Sequence, residues 1–272
     1  MNILAIGDII GRPGVEFIKG RLREIRKQYN VDFVVANGEN SAPGNGVDPE
    51  SAETILAAGV DMITTGNHVW QKKSIYKTLD ESPYLLRPAN YPDEVPGRGY
   101  TVVNVSGVRV LVMCVMGTVY MDALACPFRT VEKILAREQN IIETASGRAV
   151  RLNYDIALLE IHAEATSEKN ALARFFDSRL SAMFGTHTHI QTSDICVLPC
   201  GTGFITDLGM TGPRDSVLGV KSECIIEKLT KKIPVQFEVP NTPVRFNAAL
   251  FRVEPAAPGS VWLATAAESI DF

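Results

Sequence analysis

Apolar residues in this chain come in short runs that stop abruptly at glycine and polar residues. Asn2 to Ile6 is apolar on both parities and too short for a helix, the pattern of a strand buried on both faces. It ends at Gly7-Asp8, and Gly11-Arg12-Pro13-Gly14 predicts a turn. From Val15 to Tyr29 the period changes: Val15, Ile18, Leu22 and Ile25 recur at helical spacing among Lys, Arg and Glu. The unit then repeats, with a strand over Val31 to Ala36, a Gly/Pro/Asn-rich loop from Ser41 to Asp48, a helix over Pro49 to Ala58 and a strand over Val60 to Thr64. Strands alternating with helices predict a largely parallel sheet with right-handed crossovers.

The middle of the chain is different. Tyr100 to Val105 and Val108 to Val115 flank Ser106-Gly107 and read as a β-hairpin. Phe128 to Thr144 reads as a helix and Arg148 to Tyr154 as a connection. Ile156 to Ile161 is another buried strand with His162 at its end, Ser167 is placed to cap a helix reaching Phe176, and Ser181 to Phe184 leads into Gly185-Thr186-His187-Thr188-His189. Beyond it, Ile195 to Leu198, Phe204 to Thr206, Val235 to Val239, Val244 to Val253 and Ser260 to Thr265 are strand-like. A short helix is predicted over Ser222 to Leu229, and the end of the chain is expected to complete a second sheet. No linker, repeat or low-complexity segment interrupts the pattern, so residues 1–272 are expected to form one α/β domain.

Composition narrows the function classes. A net charge of −4 without clustered Lys and Arg is unsuited to gripping long nucleic acid, whereas a small anionic ligand in a local positive site stays open. Five cysteines without C-x-x-C spacing indicate neither a disulfide framework nor a zinc ribbon. The chain starts directly on an apolar strand, without the pattern of a secretory leader, and no apolar run approaches the ~18 residues of a membrane span. A cytoplasmic protein without membrane contacts is expected, and a homo-oligomer is compatible with this composition.

Five polar clusters stand where an apolar strand gives way to a loop: Asp8, Glu39-Asn40, Asn67-His68, His162 and His187/His189. The carboxyl ends of strands in α/β sheets line the crevice where ligands bind, so clusters some 180 residues apart in sequence can converge. All four histidines of the chain lie in them. On extended backbone, His187 and His189 would point the same way. No G-x-S-x-G and no Walker phosphate loop occurs, and no cysteine stands beside a histidine. Two carboxylates, one or two amide oxygens and three imidazoles instead make a mixed O/N set suited to two ions sharing a carboxylate. Asp8 and Glu39 contribute about −2 against +4 from two divalent ions; a bridging hydroxide leaves about +1, which attracts a phosphoryl group. Such ions lower the pKa of bound water toward ~7 and so supply a hydroxide nucleophile.

Gly7-Asp8, Gly66-Asn67-His68 and Gly185-Thr-His-Thr-His189, with the isolated His162, resemble the motifs of calcineurin-like metallophosphoesterases. Ile6-Gly-Asp-Ile-Ile-Gly-Arg-Pro-Gly14, Ala36-Asn-Gly-Glu-Asn-Ser41, Thr65-Gly-Asn-His68, Ile161-His-Ala-Glu-Ala-Thr-Ser-Glu-Lys169 and Ile205-Thr-Asp-Leu-Gly-Met-Thr-Gly212 are similar, more narrowly, to the YmdB-type bacterial phosphodiesterases. The resemblance implies a four-layer α/β/β/α sandwich with two mixed sheets and a dinuclear iron or manganese centre. It implies hydrolysis of small, 2',3'-cyclic nucleotides. By it, Asp8, Glu39, Asn40 and His189 hold one metal. Glu39, as the bridge, holds the other with Asn67, His162 and His187, and His68 lies beside the scissile phosphate; there it is read as the general acid for the leaving oxygen, the alternative being a neutral imidazole that hydrogen-bonds the phosphate without giving up a proton. The chain departs from the broader superfamily in having Asp8-Ile9-Ile10 for the usual D-x-H and Glu39 for the usual bridging Asp. Glu160 stands where the narrower family suggests Asp, and is read as supporting the site or the fold.

Arg12, Ser41, Asn45, Lys169 and Thr211 lie where they can meet a substrate and are read as candidate contacts. Lys169, in the first turn of a helix, opposes the macrodipole and so invites an anion. Trp70 and Tyr120 offer faces for stacking on a base or for packing. A nucleotide phosphomonoesterase with the same site and a catalytically idle metal- and nucleotide-binding regulator are the alternatives.

Overall fold

The computed structural model describes the backbone of residues 1–144, 147–257 and 259–272, and side chains throughout these outside 140–150. In chain order, β1 (Asn2–Ile6) and β2 (Asp8–Ile9) precede α1 (Gly11–Gln28); β3 (Phe33–Asn37), α2 (Pro49–Ala58), β4 (Met62–Thr64) and α3 (Tyr76–Glu81) follow. Next come β5 (Tyr100–Val105), β6 (Val108–Met116), α4 (Pro127–Arg137), β7 (Gln139–Thr144), β8 (Gly147–Leu152), β9 (Ile156–His162), α5 (Thr166–Phe175) and β10 (Ala182–Thr186). β11 (Cys196–Val197), β12 (Gly203–Ile205), β13 (Met210–Pro213), α6 (Ser222–Lys231), β14 (Val244–Glu254) and β15 (Leu263–Asp271) complete the order.

Seven strands make one mixed sheet in the order β2-β13-β14-β1-β3-β4, with β15 paired to β14. Six make the other, in the order β11-β12-β10-β9-β6-β5. Residue parity along the strands builds the layers. Leu4, Ile6, Val34 and Ala36 face Ile18, Leu22 and Ile25 of α1 and Ile55 of α2, while Ile3, Ala5, Phe33 and Val35 face Val110, Val112, Leu158 and Phe184 of the second sheet. On that sheet's far side, Leu111, Met113, Leu159 and Met183 meet Val131 and Ile134 of α4 and Leu172 of α5. The result is the expected four-layer α/β/β/α sandwich. Strands buried on both faces explain why the front runs lack polar alternation.

Local chemistry sets the element ends. Asp48 caps α2 by accepting from the Ser51 N–H at 2.8 Å, the Asp48 N–H lies 3.2 Å from Ser51 Oγ in return, Pro49 occupies the first turn, and Gly59 closes the helix with φ 113°.

Several expectations change. The predicted turn at Gly11 to Gly14 is the first turn of α1. Helix α4 stops at Arg137; the Asn, β-branched Ile pair and Thr that follow are weak helix formers, and β7 pairs antiparallel with β8 where a connection was expected. Val235 to Val239 forms no strand, Val239 instead lying against the backbone of Gly11. Helix α5 is capped by Ala165 without a side-chain bond, so Ser167 falls inside its first turn. The last two strands extend the first sheet, because apolar β1 needs a neighbour on each edge and β14 supplies the one that β3 does not. No described helix is long and apolar enough to cross a membrane.

Candidate metal centre

β1, β3 and β4 run parallel, as do β6, β9 and β10, so their carboxyl ends deliver the five polar clusters to one edge of the sandwich. His162 Nε2 lies 3.1 Å from Glu39 Oε1, 2.9 Å from Asn67 Oδ1 and 3.0 Å from His187 Nδ1. His189 Nε2 lies 3.5 Å from Asp8 Oδ1 and 3.3 Å from Asn40 Nδ2. Glu39 sits between the groups, its Oε2 accepting from the His68 N–H at 3.0 Å. Gly66 permits this closeness, since a Cβ there would stand 2.2 Å from the His162 ring. All seven expected ligands and His68 are thus brought together.

His187 and His189 do not share the geometry of an extended strand. β10 ends at Thr186, and the two histidines take φ of 98° and 62°, a left-handed backbone that side chains with a Cβ resist. That turn sends His187 toward His162 and His189 toward Asp8.

Each imidazole has its outer nitrogen held and its inner nitrogen aimed into the centre. His162 Nδ1 lies 2.9 Å from Thr186 Oγ1, which donates to Glu160 Oε1 at 2.8 Å. His187 Nε2 faces Glu164 Oε2 at 3.2 Å, and His189 Nδ1 donates to Leu218 O at 2.9 Å. Outer partners of this kind fix the tautomer and orientation of metal-binding histidines.

The titration directions follow from the same crowding. Burial works against the charge of His189, but the Asp8 carboxylate beside it raises the imidazole to about 9. Burial and the charge of His162 lower His187 to about 4. Burial opposes ionisation of Glu39 too, yet His162 and His68 hold it well below the ordinary carboxylate range.

The donor set fits bound metal. Asp8 is fully buried, and its Oδ1 has no hydrogen-bond partner although an anionic oxygen there requires one. Carboxylate, amide oxygen and imidazole suit ions of the Mn, Fe or Zn type. The ligand atoms of Glu39, His162 and His187 all lie within 4.8 Å of one another. Asn40 Oδ1 lies 2.8 Å from His68 Nδ1, while its nitrogen faces Glu39 and His189. Ligation through its oxygen beside Asp8 and His189 therefore calls for the amide to turn over.

The candidate substrate contacts fare differently. Lys169 is fully buried, and its ammonium donates to Thr186 O and Asp207 Oδ2, both at 2.8 Å. It therefore meets no substrate; Asp207 supplies the anion that its place in the helix invites, and through the Thr188 and Gly209 N–H groups it holds the loop carrying His187 and His189. Lys169→Met is expected to destabilise the fold by about 3–5 kcal/mol, because Asp207 would be left buried and unpaired. Urea denaturation checks this; a loss below about 1 kcal/mol would contradict it.

The Ser41 hydroxyl is also buried, 2.7 Å from Gly38 O and 3.0 Å from Ser51 Oγ, so it ties the glycine-rich loop to α2 instead of facing a ligand. Thr211 is buried in β13 with its hydroxyl unpartnered. Arg12, in the first turn of α1, and Asn45, with φ 66°, are exposed.

Asn37, Thr64, Glu164 and Asp207 were not singled out by sequence. Glu160 accepts from Asn37 Nδ2 at 2.7 Å, from Thr186 and from Thr64. Asn37 Oδ1 in turn accepts from the Glu39 N–H at 3.0 Å. One buried carboxylate thereby joins β3 and β4 of the first sheet to β9 and β10 of the second beneath the centre. Burial raises Glu160 to about 7 even against these donors. A carboxylate inside the apolar run Leu158-Leu159-Glu160-Ile161 was the available signal.

Known proteins share this architecture. The chain is 41% identical over 239 residues, 88% of it and 86% of the relative, to the 2',3'-cyclic-nucleotide 2'-phosphodiesterase of Bacillus subtilis. A solved structure of a hypothetical protein from Thermus thermophilus superposes with a TM-score of 0.87 at 38% identity, covering 100% of this chain and 99% of that one. The structure of a phosphatase from Mycoplasma pneumoniae gives 0.88 at 28%, covering 100% and 93%. The model of the YmdB-like proteins matches residues 4–261, and the chain belongs to that family.

Proposed function

We propose that this protein is a cytoplasmic phosphodiesterase that hydrolyses small nucleotides, 2',3'-cyclic monophosphates in particular, at a centre of two iron or manganese ions. The observation that carries the reading is the buried Asp8 Oδ1, without a hydrogen bond and 3.5 Å from His189 Nε2, beside the convergent ligand atoms of Glu39, His162 and His187. The name of the 41%-identical relative supports the substrate class.

Asp8, Glu39, Asn40 and His189 would hold one ion, and Glu39, Asn67, His162 and His187 the other. Two such ions supply charge for the phosphoryl oxygens and a water acidified toward ~7. The chain's own part is positioning and proton supply. His68, about a quarter exposed at the mouth, has Nδ1 3.3 Å from Glu39 Oε1, a contact that survives the turning of the Asn40 amide and leaves Nε2 to give the departing oxygen its proton. Glu164, Thr186 and the Leu218 carbonyl keep the three imidazoles turned inward.

A comparison of bis(p-nitrophenyl) phosphate with p-nitrophenyl phosphate tests the reaction class. The diester is expected to be the better substrate, and a strong preference for the monoester would instead indicate a phosphomonoesterase. Thr186→Val removes the link from His162 to Glu160 and is expected to weaken Mn²⁺ binding about 10- to 100-fold. Calorimetric titration of the metal-stripped protein reads this directly; unchanged affinity would remove Thr186 from the account.

A further inference from the structure

Residues 117–125 form a loop whose two ends are pinned by one side chain. The Asn90 amide donates to Met116 O at 2.8 Å and to Ala125 O at 3.0 Å, and its oxygen accepts from the Met116 N–H at 2.8 Å. The loop leaves β6 directly beside the metal centre: Met116 pairs with His162 in the sheet, and the Gly117 N–H donates to His162 O at 3.0 Å. Glu168, at the start of α5, then fixes the first turn, accepting from the Thr118 N–H and Val119 N–H at 3.0 and 3.2 Å. Gly117 allows that approach, since a Cβ there would stand 2.4 Å from Glu168 Oε2. On the other side, the Asn90-Tyr91 segment packs on Trp70, two residues beyond His68, with the Tyr91 and Trp70 rings 5.3 Å apart. The loop therefore leaves from and returns to the strand end beside His162, next to the segment that packs on Trp70.

Tyr120 stands at the crest of this anchored loop. The Met121 N–H reaches back to Thr118 O, making a turn in which Tyr120 has φ 62°, the third-position conformation that favours glycine. A tyrosine is held there 90% exposed, well clear of the core. Three residues of chain span at most about 11 Å, so Tyr120 stays within that distance of Gly117, whose N–H donates to the His162 carbonyl. Strained backbone that presents a side chain without structural use is a mark of ligand clamps.

We propose that Tyr120 is a specificity-determining residue that stacks on the nucleobase of a substrate whose phosphate occupies the metal centre. The inference rests on the nucleotide reading above and adds to it the residue that recognises the base. Stacking is tolerant of base identity, so the selection is for a nucleoside over a bare sugar phosphate.

The test compares adenosine 2',3'-cyclic phosphate with the same ribose cyclic phosphate lacking the base, using full-length, metal-loaded protein. In Y120A, kcat/KM for the nucleotide relative to the abasic diester is expected to fall about tenfold, through KM, and Y120F is expected to restore the wild-type ratio. A ratio unchanged in Y120A, or lost equally in Y120F, overturns the inference. Should the wild-type protein hydrolyse both diesters with equal KM, stacking is excluded while the diesterase reading stands. Should it hydrolyse neither, both fall.

Discussion

Glu39→Gln is expected to lower phosphodiester hydrolysis by about 1,000-fold or more and to reduce the metal content of the purified protein. Glu39 touches both halves of the centre, reaching His162 at 3.1 Å on one side and Asn40 and His68 on the other. An amide in its place keeps the shape and removes the charge that two cations would share. Metal analysis alongside steady-state kinetics checks the pairing of the two losses. Activity surviving in this variant would mean that the measured turnover comes from another protein.

His68→Ala should behave in another way. For a cyclic nucleotide, whose leaving group is a sugar alkoxide that needs a proton, kcat is expected to fall about 100- to 10,000-fold with metal content retained. For bis(p-nitrophenyl) phosphate, whose leaving group is stable as an anion, the loss is expected to be smaller than about tenfold. Equal losses on both substrates would indicate that His68 orients Asn40 and Glu39 and does not deliver the proton.

The front half of the fold was legible because its strands are short, apolar and closed by glycine, and because Asp48-Pro49 and Gly59 mark both ends of α2 in sequence. The polar residues at strand ends were legible for the same reason: burial on both faces leaves nowhere else for them. Pairing partners were not legible. Nothing in Val244 to Val253 says whether it extends the first sheet or the second, since either gives an apolar strand neighbours. The end of α4 was hidden by Ile141 and Ile142, which continue an apolar pattern on either period.

Long-range polar pairing accounts for the errors at the site. Lys169 reads as an anion-seeking cation because Asp207, its partner, lies 38 residues on in sequence. Glu160 reads as an oddity in an apolar run because its donors come from three other strands. The strand parity that would align His187 with His189 fails because β10 ends at Thr186 and the next residues turn left-handed.

The central claim is that one centre, bridged by Glu39, holds two ions. Anomalous scattering from crystals of fully active protein, with metal analysis of the same preparation, tests it most directly. The account predicts two peaks per chain, one between Asp8 and His189 and one between His162 and His187, with Glu39 touching both. A single peak, or none, in protein that hydrolyses the cyclic diester at full rate would contradict it.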